Sequence, residues 1–281
     1  MLALTVAVMS VLLKRSRKRT ARKAAAPAEK TKVLPRSVPR IGKLHRLGDR
    51  DSQQDCFAVS PLERIGESGL LAVVADGMGG LADGDKVSQM AVSTMLDGFL
   101  STRMVPEDIL LELTERANCQ VNQLLGPAGI GKSGSTLVTG LVKDGRFSYL
   151  SIGDSRICLY RDDQLIQLNR EHIYRNDLVV QAMNGNGSLY GAEVHPKAAG
   201  LTSYLGMGKL KYVDIPASPV TLRGGDKIIL MTDGVYNALS DEELRAALRD
   251  NAEQAAENIG RMIADKAYRH QDNYTAVILG F

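Results

Sequence analysis

Aspartates recur beside apolar, strand-like runs in this 281-residue chain, each at a place where a carboxylate could hold an ion. Residues 70–75 lead straight into Asp76-Gly77-Met78-Gly79-Gly80, residues 147–153 into Asp154-Ser155-Arg156, and residues 227–232 into Asp233-Gly234. Asp55 precedes the run 56–60, and Asp272-Asn273 precedes 275–279. A strand carries the side chain at its end to the rim of its sheet, at a fixed place. Acids gathered there repel one another unless cations neutralise them. Ligation by oxygen alone selects hard ions such as Mg²⁺ or Mn²⁺. Gly77, Gly79 and Gly80 remove side chains where backbone must approach an ion or a phosphate closely. A single Asp after a strand is ordinarily a turn residue. On spacing alone, a metal cluster and a set of chance turns stand level.

The elements that would position these acids are legible as alternating apolar runs and turn clusters. Strands are predicted at 56–60, 70–75, 136–142, 147–152, 157–161, 227–231 and 275–279, rich in Val, Ile, Leu or Thr. Lys143-Asp144-Gly145-Arg146 and Asp162-Asp163 read as hairpin turns. Residues 85–100 place Val87, Met90, Ala91, Met95 and Phe99 near one helical face. Pro106 opens a second helix carrying Ile109, Leu113, Ala117, Val121 and Leu124. Ser240-Asp241-Glu242-Glu243 is a capping box for a helix to 248, and 252–268 continues helically. Strands, a helix pair, strands and a final helix pair predict α+β layering rather than strict strand–helix alternation. Residues 173–201 read as a polar, Gly/Asn-rich loop.

Charge divides the chain. Residues 1–40 hold eleven Lys/Arg and one acid, Glu29, for +10; the other 241 hold 24 basic and 31 acidic side chains, for −7. The folded part is mildly acidic, which argues against nucleic acid as a partner, since a basic footprint should lie on the fold itself. Cys56, Cys119 and Cys158 are odd in number and far apart, and read as buried free thiols. Residues 1–13 are apolar and Lys14 to Lys23 strongly basic. Thirteen residues are short for a bilayer span of roughly 17–25, and the charges come after the apolar run, the wrong order for a signal peptide. The expectation is a short anchor, 1–23, with a polybasic flank on a membrane surface; the alternatives are a disordered tail or a chain whose true start lies upstream. The positive-inside rule would keep the rest of the chain in the cytoplasm. Residues 24–44 then form a flexible linker and 45–281 the folded domain.

Motifs around the acids resemble those of the protein phosphatase 2C family, the metal-dependent serine/threonine protein phosphatases, in its bacterial form. Arg50-Asp51-Ser52-Gln53-Gln54-Asp55, Val74-Ala75-Asp76-Gly77-Met78-Gly79-Gly80, Gly134-Ser135-Thr136-Leu137, Ile152-Gly153-Asp154-Ser155-Arg156 and Leu168-Asn169-Arg170-Glu171-His172 stand in the family's order. Leu201-Thr202-Ser203-Tyr204-Leu205-Gly206, Leu230-Met231-Thr232-Asp233-Gly234 and Gln271-Asp272-Asn273-Tyr274-Thr275 complete the series. The resemblance implies two packed antiparallel β-sheets, a β-sandwich, flanked by helix pairs. It implies that Asp76, the Gly77 carbonyl, Asp233 and Asp272 ligate two divalent ions, Mn²⁺ or Mg²⁺, with Asp55 supporting a metal-bound water and Arg50 binding phosphate. It also implies phosphoserine or phosphothreonine protein substrates, no covalent intermediate, and an opposing serine/threonine kinase.

Some residues depart from the family pattern. Gln53 replaces a usual Asn, and Met78 leaves the acid for the leaving group unassigned. Asn237 stands where many relatives carry Asp, which weakens a third-metal role for Asp154. His172 reads as structural, and His45, His195 and His270 as solvated or packing residues. Two rivals are weighed against this reading. Gly126-Pro127-Ala128-Gly129-Ile130-Gly131-Lys132-Ser133 satisfies the P-loop pattern, although a predicted helix precedes it and a strand comes after. The other rival is an inactive phosphatase fold serving as a tethered binding module.

Overall fold

The structure is a computed structural model and describes residues 38–79, 83–102 and 108–281. In chain order it runs through β1 (Arg40–Arg46), β2 (Asp55–Val59), a 3-10 turn and α1 (Ile65–Ser68), β3 (Leu70–Met78), α2 (Gly84–Ser101) and α3 (Ile109–Gly129). Next come β4 (Gly134–Ser135), β5 (Leu137–Lys143), β6 (Arg146–Ile152), β7 (Arg156–Arg161), β8 (Gln164–Gln167), α4 (Tyr174–Met183) and α5 (Leu189–Glu193). The chain closes with β9 (Val220–Thr221), β10 (Lys227–Met231), α6 (Asp233–Tyr236), α7 (Asp241–Ala247), α8 (Ala252–Lys266) and β11 (Tyr274–Gly280).

These strands form two antiparallel sheets, one in the order β1-β11-β10-β7-β8, the other β2-β3-β5-β6-β9 with β4 against β3. The β-strand runs lack clean apolar–polar alternation because both faces of each sheet are covered. Leu70, Ala72, Val74, Val138 and Phe147 of one sheet meet Ile157, Leu159, Ile228, Leu230, Val277 and Leu279 of the other. The opposite side chains of β3, Leu71, Val73 and Ala75, pack under α2 and α3 through Val87, Ala91, Met95, Phe99, Leu113 and Val121. On the other outer face Ile229 and Ile278 pack against Leu244, Leu248, Ala255 and Ile259 of the last helices. The expected sandwich flanked by helix pairs is the fold observed.

Local signals hold at the turns and caps. Asp144, Gly145, Asp162 and Asp163 all take positive φ, the geometry of tight hairpin turns whose twist matches that of the strands. Ser240 and Glu243 form the capping box. Gly126 breaks α3 near its end with φ 61° and ψ 178°. The P-loop rival therefore fails on its context: a helix leads into residues 126–133, and β4 and β5 come after.

Four expectations need correction. The linker predicted for 24–44, and the domain start at 45, run into β1, which begins at Arg40 and pairs with β11 along its whole length. Its sequence, RIGKLHR, carries too few apolar residues to announce a strand; the edge of β11 supplies the pairing. The anchor at 1–23, the linker as far as residue 37, and the helix opening at Pro106 lie outside the described residues. The loop at 173–201 contains α4 and α5; α4 buries none of its residues and so shows no helical stripe in the sequence. The cysteines are all free, but Cys119 is exposed on α3 and only Cys158 is fully buried. Among the described residues no helix is long and apolar enough to cross a membrane.

Candidate metal centre

Asp76 continues the face of β3 that Leu70, Ala72 and Val74 turn toward the other sheet, so its carboxyl opens at the rim between the sheets. Antiparallel register sets Asp55 directly opposite it. Asp233 follows the last strand residue of β10 by two positions, and Asp272 precedes β11 by two. Asp154 lies in the β6–β7 turn, which Gly153 allows at φ 96°. Strand ends from both sheets thus deliver the predicted acids to one rim.

Backbone and hydroxyl groups hold this rim in place. Thr232, fully buried, donates to Asp55 Oδ2 at 2.9 Å and accepts the Thr275 N–H at 3.0 Å. The Asp76 N–H donates to Thr136 Oγ1 at 3.0 Å, and Thr136 Oγ1 meets Ser155 Oγ at 2.7 Å, tying the Asp76 strand to the Asp154 turn. Gln53 accepts the Asp55 N–H through Oε1 and donates through Nε2 to the Arg46 carbonyl, so the unusual Gln clasps Asp55 to the end of β1. Asn273 accepts from Gln54 N–H and donates to the Leu47 and Ser52 carbonyls, shaping the loop that carries Arg50. A Cβ on Gly77 would sit 2.0 Å from the Gly84 carbonyl oxygen, so only glycine fits there.

The carboxyls bear the cost of this gathering. Burial, opposed by hydrogen bonds from Thr275 and Thr232 and reinforced by Asp233 and Asp272, pushes Asp55 up to about 7. Burial, then Asp55 and Asp233, pushes Asp76 well above the carboxylate range. Asp154 rises to about 7 through burial and Asp233, and Asp233 rises through burial and Asp272. Asp233 Oδ1 is buried without a donor, while Oδ2 takes a 3.3 Å hydrogen bond from Asn237. Asp233 as a whole is eased by Asp76 (only while that neighbour keeps its proton), by the Gly234 amide and by the charge of Arg50. A buried oxygen without a donor, amid mutually repelling acids, is a place where a cation would satisfy what the protein does not.

Arg50 Nη2 lies 2.7 Å from Asp272 Oδ2 in an ion pair, with 57% of the Arg50 side chain accessible. Among the described residues no three His, Cys, Asp or Glu side chains converge closely enough to ligate one ion by themselves. The donor set fits hard divalent ions.

The Protein phosphatase 2C family model matches residues 42–267. The chain belongs to the protein phosphatase 2C family. Protein phosphatase PhpP of Streptococcus pneumoniae serotype 2 (strain D39 / NCTC 7466) is 28% identical over 209 residues, 73% of this chain and 82% of its own. The PPM Ser-Thr phosphatase MsPP of Mycobacterium smegmatis, solved in complex with cacodylate, superposes with a TM-score of 0.71 at 27% identity over 87% of this chain and 99% of that one. The catalytic domain of PstP, solved in complex with two manganese ions, has a TM-score of 0.68 at 24% identity over 86% of this chain and 98% of that one, a likeness of fold.

Asp55, Asp76, Gly77, Asp154, Asp233 and Asp272 of the phosphatase all lie at the one rim, with Arg50 at its outer edge. The roles of Thr232, Thr275 and Asn273 are not legible in the sequence, although Thr232-Asp233 and Asn273-Tyr274-Thr275 lie inside the motifs. His172 is buried and accepts the Gly153 N–H through Nδ1, and so braces the Asp154 turn.

Proposed function

We propose that the chain hydrolyses phosphoserine and phosphothreonine in proteins with two divalent ions, Mn²⁺ or Mg²⁺, held by Asp76, the Gly77 carbonyl, Asp233 and Asp272. The observation that carries this reading is Asp233 Oδ1, buried and without a donor among acids held above their ordinary range. When bound, such ions acidify water and offset charge at phosphorus. Asp55, steadied by the Thr232 hydroxyl, is placed to accept a proton from water at the rim. Arg50 keeps one nitrogen on Asp272 and turns the rest of its planar fork to solvent, where it can meet phosphate oxygens in pairs. Asp154 is the proposed holder of a third ion, with the neutral Asn237 adding no charge.

The named activity of the relatives supports phosphoprotein substrates. An opposing serine/threonine kinase and a membrane tether through residues 1–23 remain proposals from the sequence. The test is phosphate release from a phosphothreonine peptide by the full chain with Mn²⁺ or Mg²⁺. EDTA should abolish it. Asp76→Asn and Asp233→Asn should each lower it by about 100-fold, the upper range for loss of even an outer partner of a metal site. Full activity in either variant would falsify the two-ion assignment, and an inert parent chain would favour the binding-module reading.

A further inference from the structure

Arg156 of β7 and Met231 of β10 form the last rung of their ladder on the site side. Two residues beyond that rung, on the two strands, stand Asp154 and Asp233. Past the rung, backbone pairing no longer fixes how far apart these two acids lie. Tyr236, at the end of α6, spans the gap. Its hydroxyl donates to the Asp154 carbonyl at 3.1 Å. The Arg156 guanidinium lies over its ring, 3.7 Å from the centroid, and Arg156 Nε is paired with Glu171. That ion pair is largely withdrawn from water, with 26% and 10% of the two side chains accessible, so the guanidinium has little freedom to leave the ring. The helix bearing Asp233 and the turn bearing Asp154 are thereby joined through one side chain.

We propose that Tyr236 is a positioning residue that sets the separation of Asp154 from Asp233, and with it how well the two carboxylates share a cation. The proposal rests on the metal-dependent reading of the same site. In this role Tyr236 acts through the Asp154 backbone, whose carbonyl its hydroxyl meets. Tyr236→Phe keeps the ring under Arg156 and removes only the hydroxyl. Arg156→Lys keeps the hydroxyl and charge but loses the flat stack.

Mn²⁺ binding to the full chain, followed by calorimetric titration, tests the coupling in a double-mutant cycle with Asp154→Asn. Tyr236→Phe should weaken one Mn²⁺ step by about tenfold, the lower range for outer partners of a metal site. Arg156→Lys should move the same step in the same direction. In the Asp154→Asn background neither should weaken binding further, a pattern that a general loss of stability would not give. An unchanged isotherm for Tyr236→Phe overturns the inference, and so does an equal loss in both backgrounds. A parent chain that binds no Mn²⁺ overturns the metal-dependent reading along with it.

Discussion

Thr232 occupies a hinge between two roles, with one oxygen serving both the Asp55 carboxyl and the Thr275 amide. Thr232→Val keeps the shape and leaves both partners buried without that oxygen. The expected cost is about 1–3 kcal/mol, the range for an unsatisfied buried polar group, read as a lower urea midpoint at unchanged slope. A midpoint equal to that of the parent would show that Asp55 and Thr275 find other partners. The acids themselves were legible because each ends or begins an apolar run. Thr232, Asn273 and Gln53 were not, because a hydroxyl or amide announces no partner. Asn273 reaches the carbonyl of Leu47, 226 residues away, and only the register of β1 on β11 brings them together.

Among the elements, β1 makes the clearest difference between sequence and structure. Leu44 of β1 is buried in the core beneath α8, and Gly42 lies so close to Ala252 that a Cβ there would meet its carbonyl oxygen at 1.8 Å. Two truncated chains, one beginning at residue 38 and one at residue 47, isolate what β1 contributes. One beginning at residue 47 should lose at least ~2 kcal/mol through Leu44 alone and expose the edge of β11. Equal midpoints for the two truncations would show that β1 adds nothing to the sheet. Helix α4 escaped notice for a related reason: it has no buried face, so the pattern that reveals α2 through Val87, Ala91, Met95 and Phe99 is missing from it. Layering was readable from patterns within each run. Strand order was not, since it depends on which edges meet.

At the scale of the molecule, the rim couples protons, cations and stability. Asp55 and Asp154 sit near 7, and Asp76 and Asp233 also lie above the ordinary range, whereas an unfolded carboxyl titrates near 4. Between those values the folded state binds more protons than the unfolded one, so the stability of the metal-free protein falls as pH rises through about 7. A shift of roughly three pH units on one carboxyl corresponds to roughly 4 kcal/mol, and coupling among the four keeps the total below their sum. Cations that need the ionised forms should act in the opposite sense. Thermal midpoints in EDTA are expected to drop from about pH 5 to about pH 8, with the increment from Mn²⁺ larger at the higher pH. A midpoint in EDTA that rises over that interval would sink the proposed coupling.

Antiparallel pairing of Arg40 with Gly280 and of Arg46 with Tyr274 sets the start of β1 beside the end of β11. The Tyr274 end lies beside Asp272 and the rim; the Gly280 end lies about 20 Å away along the strands. Arg40 and Phe281 therefore lie side by side at the pole far from the rim. A reporter or affinity handle joined at Phe281 would stand away from the carboxylates, and a short peptide from Phe281 to a chain cut back to residue 38 would close a ring without crossing the rim.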